Sequence, residues 1–413
     1  MTVLLLAFAG ALPAGAQAQD REMPDMPDRP RVPVYDPGQP VMRKVLKNGV
    51  RLLVQEQRTS DRVAGVVGLR AGTLYETDLE SGLSQVMLRT IQAGTEGRPP
   101  HQMRLELTAI GADLDGSAGP DLGQVSIVTT REQTLKAAAL LADVILHPAF
   151  PDTSFESARA HFLEKASSEV ESPLPATYAI FLRTMYRGSP LQRPAHGIVR
   201  SLAEARRSDM VALYKRLVVG RNLTVCFVGN FDGKKLMAQL EKAFQAAREG
   251  ELPAPSGGDP VPLASDTLVT EERAIRAKSL TYGFPAPGVE DPDFPAFLIL
   301  DSYLRSGDRS PITFWLPERR VATGVGVLYP RYPKRSSISV YLGATTENWK
   351  AARDTVAAVF SRLKTDPLDD ADWKVHLRRV QNGFFNEQSN PLVRARDLTR
   401  YETMGVGTDF PQR

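Results

Sequence analysis

Few residues of this 413-residue chain have types and spacing suited to chemistry. His161-Phe-Leu-Glu164-Lys165 places an imidazole and a carboxylate on one helical face. A hydrolytic metal centre needs three protein ligands, an open coordination position and a base. Here Lys165 follows where a second histidine would have to stand, so the pair reads as a surface pair on an amphipathic helix. The other histidines, His101, His147, His196 and His376, are scattered without ligand spacing. Cys226 is the single cysteine and lies in the apolar run Leu223-Thr-Val-Cys-Phe-Val-Gly229. A nucleophilic thiolate needs an electropositive, accessible setting, so Cys226 reads as core. No disulfide can form within the chain. The sequence contains no Gly-x-Ser-x-Gly elbow and no phosphate-cradling Gly-Lys-Ser/Thr loop.

The elements that would position such groups follow from composition and periodicity. The length suits two domains with sizeable cores. With 42% apolar and 24% charged residues and a net charge of +3, the chain is globular, and the interspersed signs give no reason to expect nucleic acid as a partner. Residues 1–18 are apolar and end in Ala16-Gln-Ala18, the pattern of a cleaved secretory signal peptide. Export to the periplasm or beyond is therefore expected, with no membrane span elsewhere. Residues 19–41 carry six prolines and read as an extended lead-in.

Asn48-Gly49 marks a hairpin between two alternating runs. Val63–Leu69 and Gln124–Thr130 read as strands. Between them Leu83, Val86, Met87 and Ile91 recur at helical spacing, and a further helix is expected near Gln102–Ile110. Gly111, Gly116, Gly119 and Gly123 suggest a turn. Helices are expected near Glu132–Leu146, Ser154–Ser168, Ala176–Met185 and Arg207–Leu217, with a closing strand at Leu223–Val228. Residues 249–265, rich in proline and glycine, read as a linker.

The second part of the chain repeats the first. The run from Thr130-Arg-Glu-Gln to Ala142 answers to that from Thr345-Thr-Glu-Asn to Ala357, and Ser172-Pro-Leu answers to Asn390-Pro-Leu. The offset stays at roughly 215–219 residues, which implies a duplicated supersecondary unit. By that register residues 195–232 have no counterpart in the second copy, which is expected to be incomplete. The expected organisation is a signal peptide at 1–18, an extended segment at 19–41, a first repeat at 42–240, a linker at 241–265 and a second repeat at 266–413. The fold class is α+β, each repeat a mostly antiparallel sheet with helices packed on it.

Ser81-Gly-Leu-Ser-Gln-Val-Met-Leu-Arg-Thr-Ile-Gln-Ala-Gly-Thr95, preceded by Leu69-Arg-Ala-Gly-Thr-Leu-Tyr-Glu-Thr77, resembles the signature helix of the insulinase/pitrilysin metallopeptidases (inverzincins). Ile145-Leu-His-Pro-Ala-Phe150 and the closure with Gly197, Asn222 and Val228-Gly229-Asn-Phe-Asp232 resemble the same family. The layout is similar to the two-domain subunits of mitochondrial processing peptidase. The resemblance implies a clam-like chamber formed by two such chains, and a zinc held by two histidines of the signature helix and a glutamate of a later helix. Here Gln85, Leu88 and Arg89 stand at the His, Glu and His positions. Lys165 stands at the distant glutamate, with Glu164 the alternative one residue away. The arginine and tyrosine that grip the substrate carbonyl in active pairs are matched by Pro317 and Gly324, with Arg319 or Arg320 as possible stand-ins. A permanent guanidinium and an ammonium oppose a bound cation. Gln85 and Arg89 are expected to line a polar pocket or to pair with Glu164 or another acid.

The resemblance therefore implies a non-catalytic subunit with no metal or catalytic residues of its own. Zinc is expected only in an active insulinase-family partner, and an unfolded peptide is the expected occupant of the shared chamber. Two alternatives are an endopeptidase with a relocated metal site and a purely structural or peptide-binding module.

Overall fold

The computed structural model describes residues 2–4, 40–272, 278–306, 310–318, 322–345 and 347–410. The expected leader, apart from residues 2–4, and most of the expected extended segment lie outside the described residues, as do Arg319 and Arg320.

Thr2–Leu4 (β1) pairs antiparallel with Leu268–Thr270 (β8). The first repeat runs β2 (Met42–Val45), β3 (Arg51–Glu56), β4 (Arg62–Leu69), α1 (Leu83–Thr90), α2 (Pro100–Ala109), β5 (Asp113–Ala118), β6 (Gly123–Thr130), α3 (Thr134–Leu146), α4 (Asp152–Glu171) and α5 (Pro173–Met185). It continues with α6 (Val199–Glu204), α7 (Arg207–Leu217), β7 (Thr224–Gly229) and α8 (Gly233–Phe244). After β8 the second repeat runs β9 (Lys278–Pro287), α9 (Phe294–Arg305), α10 (Trp315–Glu318), β10 (Thr323–Leu328), β11 (Arg335–Ala344), α11 (Trp349–Thr365), α12 (Asp370–Gln388) and α13 (Pro391–Met404).

Six strands form one sheet in the order β2-β3-β7-β4-β6-β5. All its pairs are antiparallel except β3 with β7. A second sheet, β10-β11-β9, is antiparallel throughout. The matched runs after Thr130 and Thr345 equate β6 with β11, and so β5 with β10 and β4 with β9. The α+β expectation holds in both repeats.

The central strands are apolar on both faces because both faces are covered. Val63 and Val67 of β4, with Val225 and Phe227 of β7, point into the larger core beneath α1, α3, α7 and α8. Their neighbours Ala64, Val66, Cys226 and Val228 point into a smaller core shared with Ala395 and Leu398 of α13. Burial pushes the Cys226 thiol up to about 12, so it remains a neutral core group. Its run supplies the covered strand at the middle of the sheet.

The helices that cover these opposite faces are exchanged between the repeats. Helix α13, from the second repeat, lies on the first sheet, where Gly68 of β4 makes room for the Thr399 methyl. Helix α5, from the first repeat, lies on the second sheet. There the fully buried Phe181 fits against Gly283 of β9, with ring carbons 2.7 Å from where a Cβ would stand. The sequence register that pairs Ser172-Pro-Leu with Asn390-Pro-Leu is the register of this exchange.

Two local readings change. The expected glycine turn at 111–123 contains the edge strand β5, because Gly116 lies against the Leu88 carbonyl of α1 and leaves no space for a Cβ. Absent side chains here mark close approach of helix and strand. Near residue 240, α8 continues to Phe244, which is fully buried in the first core.

Candidate functional site

Helix α1 is built by unusual local chemistry. Its N-cap, Gly82, has φ 91°, the left-handed region that costs glycine least. Gly197 passes so close that a Cβ there would stand 2.7 Å from the Gly82 Cα. With no capping side chain at Gly82, the fully buried Glu76 reaches in from the preceding loop. One carboxylate oxygen accepts the Gly82 N–H at 2.9 Å and the other the Ser84 N–H at 2.6 Å. An anion at a helix N-terminus satisfies orphan donors and meets the positive end of the helix dipole. Burial raises the Glu76 pKa, and these hydrogen bonds and Arg193 oppose the rise. The Arg193 guanidinium donates to the Thr73 carbonyl at 3.1 Å, to the Glu76 carbonyl at 2.6 Å and to Asp78. Neither Glu76 nor Arg193 was singled out by motif reasoning, although Glu76 sits inside the quoted flank of the helix.

The side chains of α1 at the diagnostic positions have structural uses. Gln85 pairs through both ends of its amide with one residue of the edge strand. Its Nε2 donates to the Ala118 carbonyl, and its Oε1 accepts the Ala118 N–H at 3.3 Å. Leu88 is fully buried, with its Cδ1 2.7 Å from where a Cβ on Gly123 would stand. Arg89 is exposed and has no ion pair among the described residues. The expected polar pocket and the expected pairing of Gln85 or Arg89 with Glu164 are not what forms. The backbone of β5 outcompetes them because Ala118 offers a donor and an acceptor at fixed spacing.

Helix α4 packs against α1. His161, Glu164 and Lys165 are all exposed on it. The His161 ring meets the Phe162 ring edge-on at 5.0 Å. Further along α4, Glu169 Oε2 lies 3.0 Å from His196 Nε2. Burial, reinforced by the Lys165 charge, lowers His196 to about 4. Burial raises Glu169 despite Lys165. At neutral pH the imidazole is therefore neutral beside the carboxylate. Sequence reasoning passed over this pair because His196 and Glu169 share no spacing in sequence. In the second repeat Pro317 is exposed on α10, and Gly324 on β10 has Leu174 of α5 as its nearest side chain.

Residues 51–197 match the model of Insulinase (Peptidase family M16), and residues 205–380 match that of the Peptidase M16 inactive domain. The chain belongs to the insulinase peptidase family, M16. An uncharacterized zinc protease of Rickettsia felis is 24% identical over 88% of this M16 chain and 86% of its own length. Cytochrome b-c1 complex subunit 1 of Mus musculus is 21% identical over 60% of this chain and 52% of its own. For the probable mitochondrial-processing peptidase subunit beta of Schizosaccharomyces pombe the identity is 22%, over 64% and 59%. The M16 fold is shared with the crystal structure of a protease from Helicobacter pylori, at TM-score 0.82 and 18% identity, covering 90% of this chain and 92% of that one.

Zinc, which the family implies, does not fit the side chains at the M16 positions. Both ends of the Gln85 amide are committed to Ala118, Leu88 is core, and Arg89 and Lys165 are cations. Among the described residues no three His, Cys, Asp or Glu side chains converge as a ligand set. None of the helices among them is long and apolar enough to cross a membrane.

Proposed function

We propose that this M16 chain is a non-catalytic subunit that is exported and pairs with an active, zinc-bearing homologue. In that pair it supplies half of a chamber and helps to hold an unfolded peptide for the partner's metal. The observation that carries this reading is the reuse of α1. The helix, its buried Glu76 cap and its glycine contacts are intact, while Gln85 and Leu88 have become packing groups. Fold and site are separable, and here the fold is kept without the ligands.

Isolation from the native source tests the pairing. A homologue with an intact His-x-x-Glu-His segment should travel with this chain, and the chain alone should neither contain stoichiometric zinc nor cleave peptides. Chelator-sensitive cleavage by the purified single chain would sink the proposal. The likeness to cytochrome b-c1 complex subunit 1 favours a second reading, a structural subunit of an assembly without a peptidase. Isolation with partners that carry no zinc motif would select it.

A further inference from the structure

A cavity of about 1040 Å³ opens between the two repeats, and neither Gln85 nor Leu88 lines it. Leu174, Tyr178 and Leu182 of α5 line it from one side. Leu328, Tyr332 and Tyr341 of the second repeat line it as well. Its size is at the upper end for a small-molecule site, and mostly apolar walls with a few polar groups are what such sites show.

The polar groups narrow the choice of occupant. Tyr332 is only 5% exposed, and its hydroxyl has no hydrogen-bond partner among the described residues. Its ring is fixed edge-on to Tyr186 at 5.8 Å. The Tyr178 hydroxyl is likewise unpartnered among these residues, and its ring stacks on Phe181 at 5.8 Å. Burial holds both phenols neutral, so both remain donors. Both residues line the cavity, so an acceptor brought by a ligand can pair with their hydroxyls there.

The cations on the wall are already engaged. Arg193 bonds Asp78 and two carbonyls, Arg183 lies 2.5 Å from Glu271, and His196 is neutral beside Glu169. An anionic headgroup therefore finds no free positive partner there. An uncharged chain with repeated carbonyl acceptors and apolar side chains fits better.

We propose that this inter-repeat cavity binds a short, uncharged, apolar peptide segment whose carbonyl oxygens accept from the Tyr178 and Tyr332 hydroxyls. The inference rests on the peptide-holding reading above and assigns that role to a cavity within one chain. Binding at this place does not need the partner.

Calorimetric titration of the purified chain with the capped peptide acetyl-Leu-Phe-Leu-amide tests it, with acetyl-Glu-Lys-Glu-amide and sodium dodecanoate as the other arms. Saturable one-to-one binding of the apolar peptide alone is expected. Tyr178→Phe and Tyr332→Phe keep the shape and should each weaken binding about three- to tenfold, the range of one lost hydrogen bond. Leu174→Asp should weaken it more than about tenfold. Unchanged melting of the tyrosine variants shows that the fold is kept, and they decide the matter if Leu174→Asp does not fold. Absence of saturable binding, or equal affinity in every variant, would overturn the proposal. Dodecanoate that displaces the peptide and binds more tightly would also overturn it and assign the cavity to a lipid. Failure to co-purify a zinc homologue leaves these titrations unaffected, so the two proposals fail separately.

Discussion

The two exchanged helices solve the same packing problem with different chemistry. Helix α5 meets the second sheet through Phe181 on Gly283, Tyr186 donating to Ser337 at 2.8 Å, and Thr177 beside Ser279. Helix α13 meets the first sheet with a small apolar centre, Ala395, Leu398 and Thr399, ringed by charge. Arg43 donates to Glu402 at 2.8 Å, Arg394 to Gln55 at 2.8 Å and to Gln388 at 2.7 Å, and Arg400 lies 3.7 Å from Asp121. Equivalent positions thus carry an aromatic plug in one dock and an arginine ring in the other. Backbone geometry fixes where each helix lies and leaves open which interactions hold it there.

The largest effect should come from the aromatic plug. Phe181→Ala is expected to cost about 3–5 kcal/mol, read by urea or thermal unfolding. The equivalent Thr399→Ala should cost no more than about 1.5 kcal/mol, since little volume is lost. Equal costs at the two positions would erase the distinction between the docks. Overpacking probes the shared geometry. Gly68→Val drives a side chain into Thr399 and should cost about 1–3 kcal/mol, part of it recovered in the double variant with Thr399→Ser.

Proton linkage separates the docks more finely. Burial is the main cause of the raised pKa of Asp121 and of Asp397 at the α13 dock. A carboxyl whose folded pKa is raised binds more protons folded than unfolded. Its contribution is fully present below the unfolded value, near about 3.9, and is lost as pH rises through the folded value. Asp121→Asn should therefore flatten the fall of stability across that window in unfolding curves taken at stepped pH. At the α5 dock Tyr178 is raised to about 12, so the dock should not respond there. The smallest effect belongs to the rim. The exposed Asp115 lies 3.5 Å from the half-buried Arg396, and Asp115→Asn should change stability by less than about 0.5 kcal/mol, vanishing in high salt.

The fold was legible wherever periodicity was undiluted. The apolar run around Cys226, the spacing of Leu83, Val86 and Met87, and the repeated Pro-Leu segments placed elements that the structure contains. Strand β5 was not legible, because Asp113-Leu-Asp-Gly-Ser-Ala118 has the composition of a turn and owes its conformation to pairing with β6. Degeneracy at Gln85, Leu88 and Arg89 could be read directly, since residue type alone decides what can ligate a cation. The partner of Gln85 could not be read. An amide bonds whatever backbone arrives, and Ala118 arrives only through the sheet. His196 and Glu169 were invisible as a pair for the same reason.

By itself the sequence determined the duplication, the family and the lack of zinc-binding groups on α1, because these depend on residue identity and order. Only the tertiary structure decided that α5 and α13 trade sheets, that Glu76 caps α1 from within the core, and that two unpartnered tyrosines face one cavity. Those features are set by which surfaces meet. Burial and hydrogen bonding between distant segments leave no fixed interval in the chain.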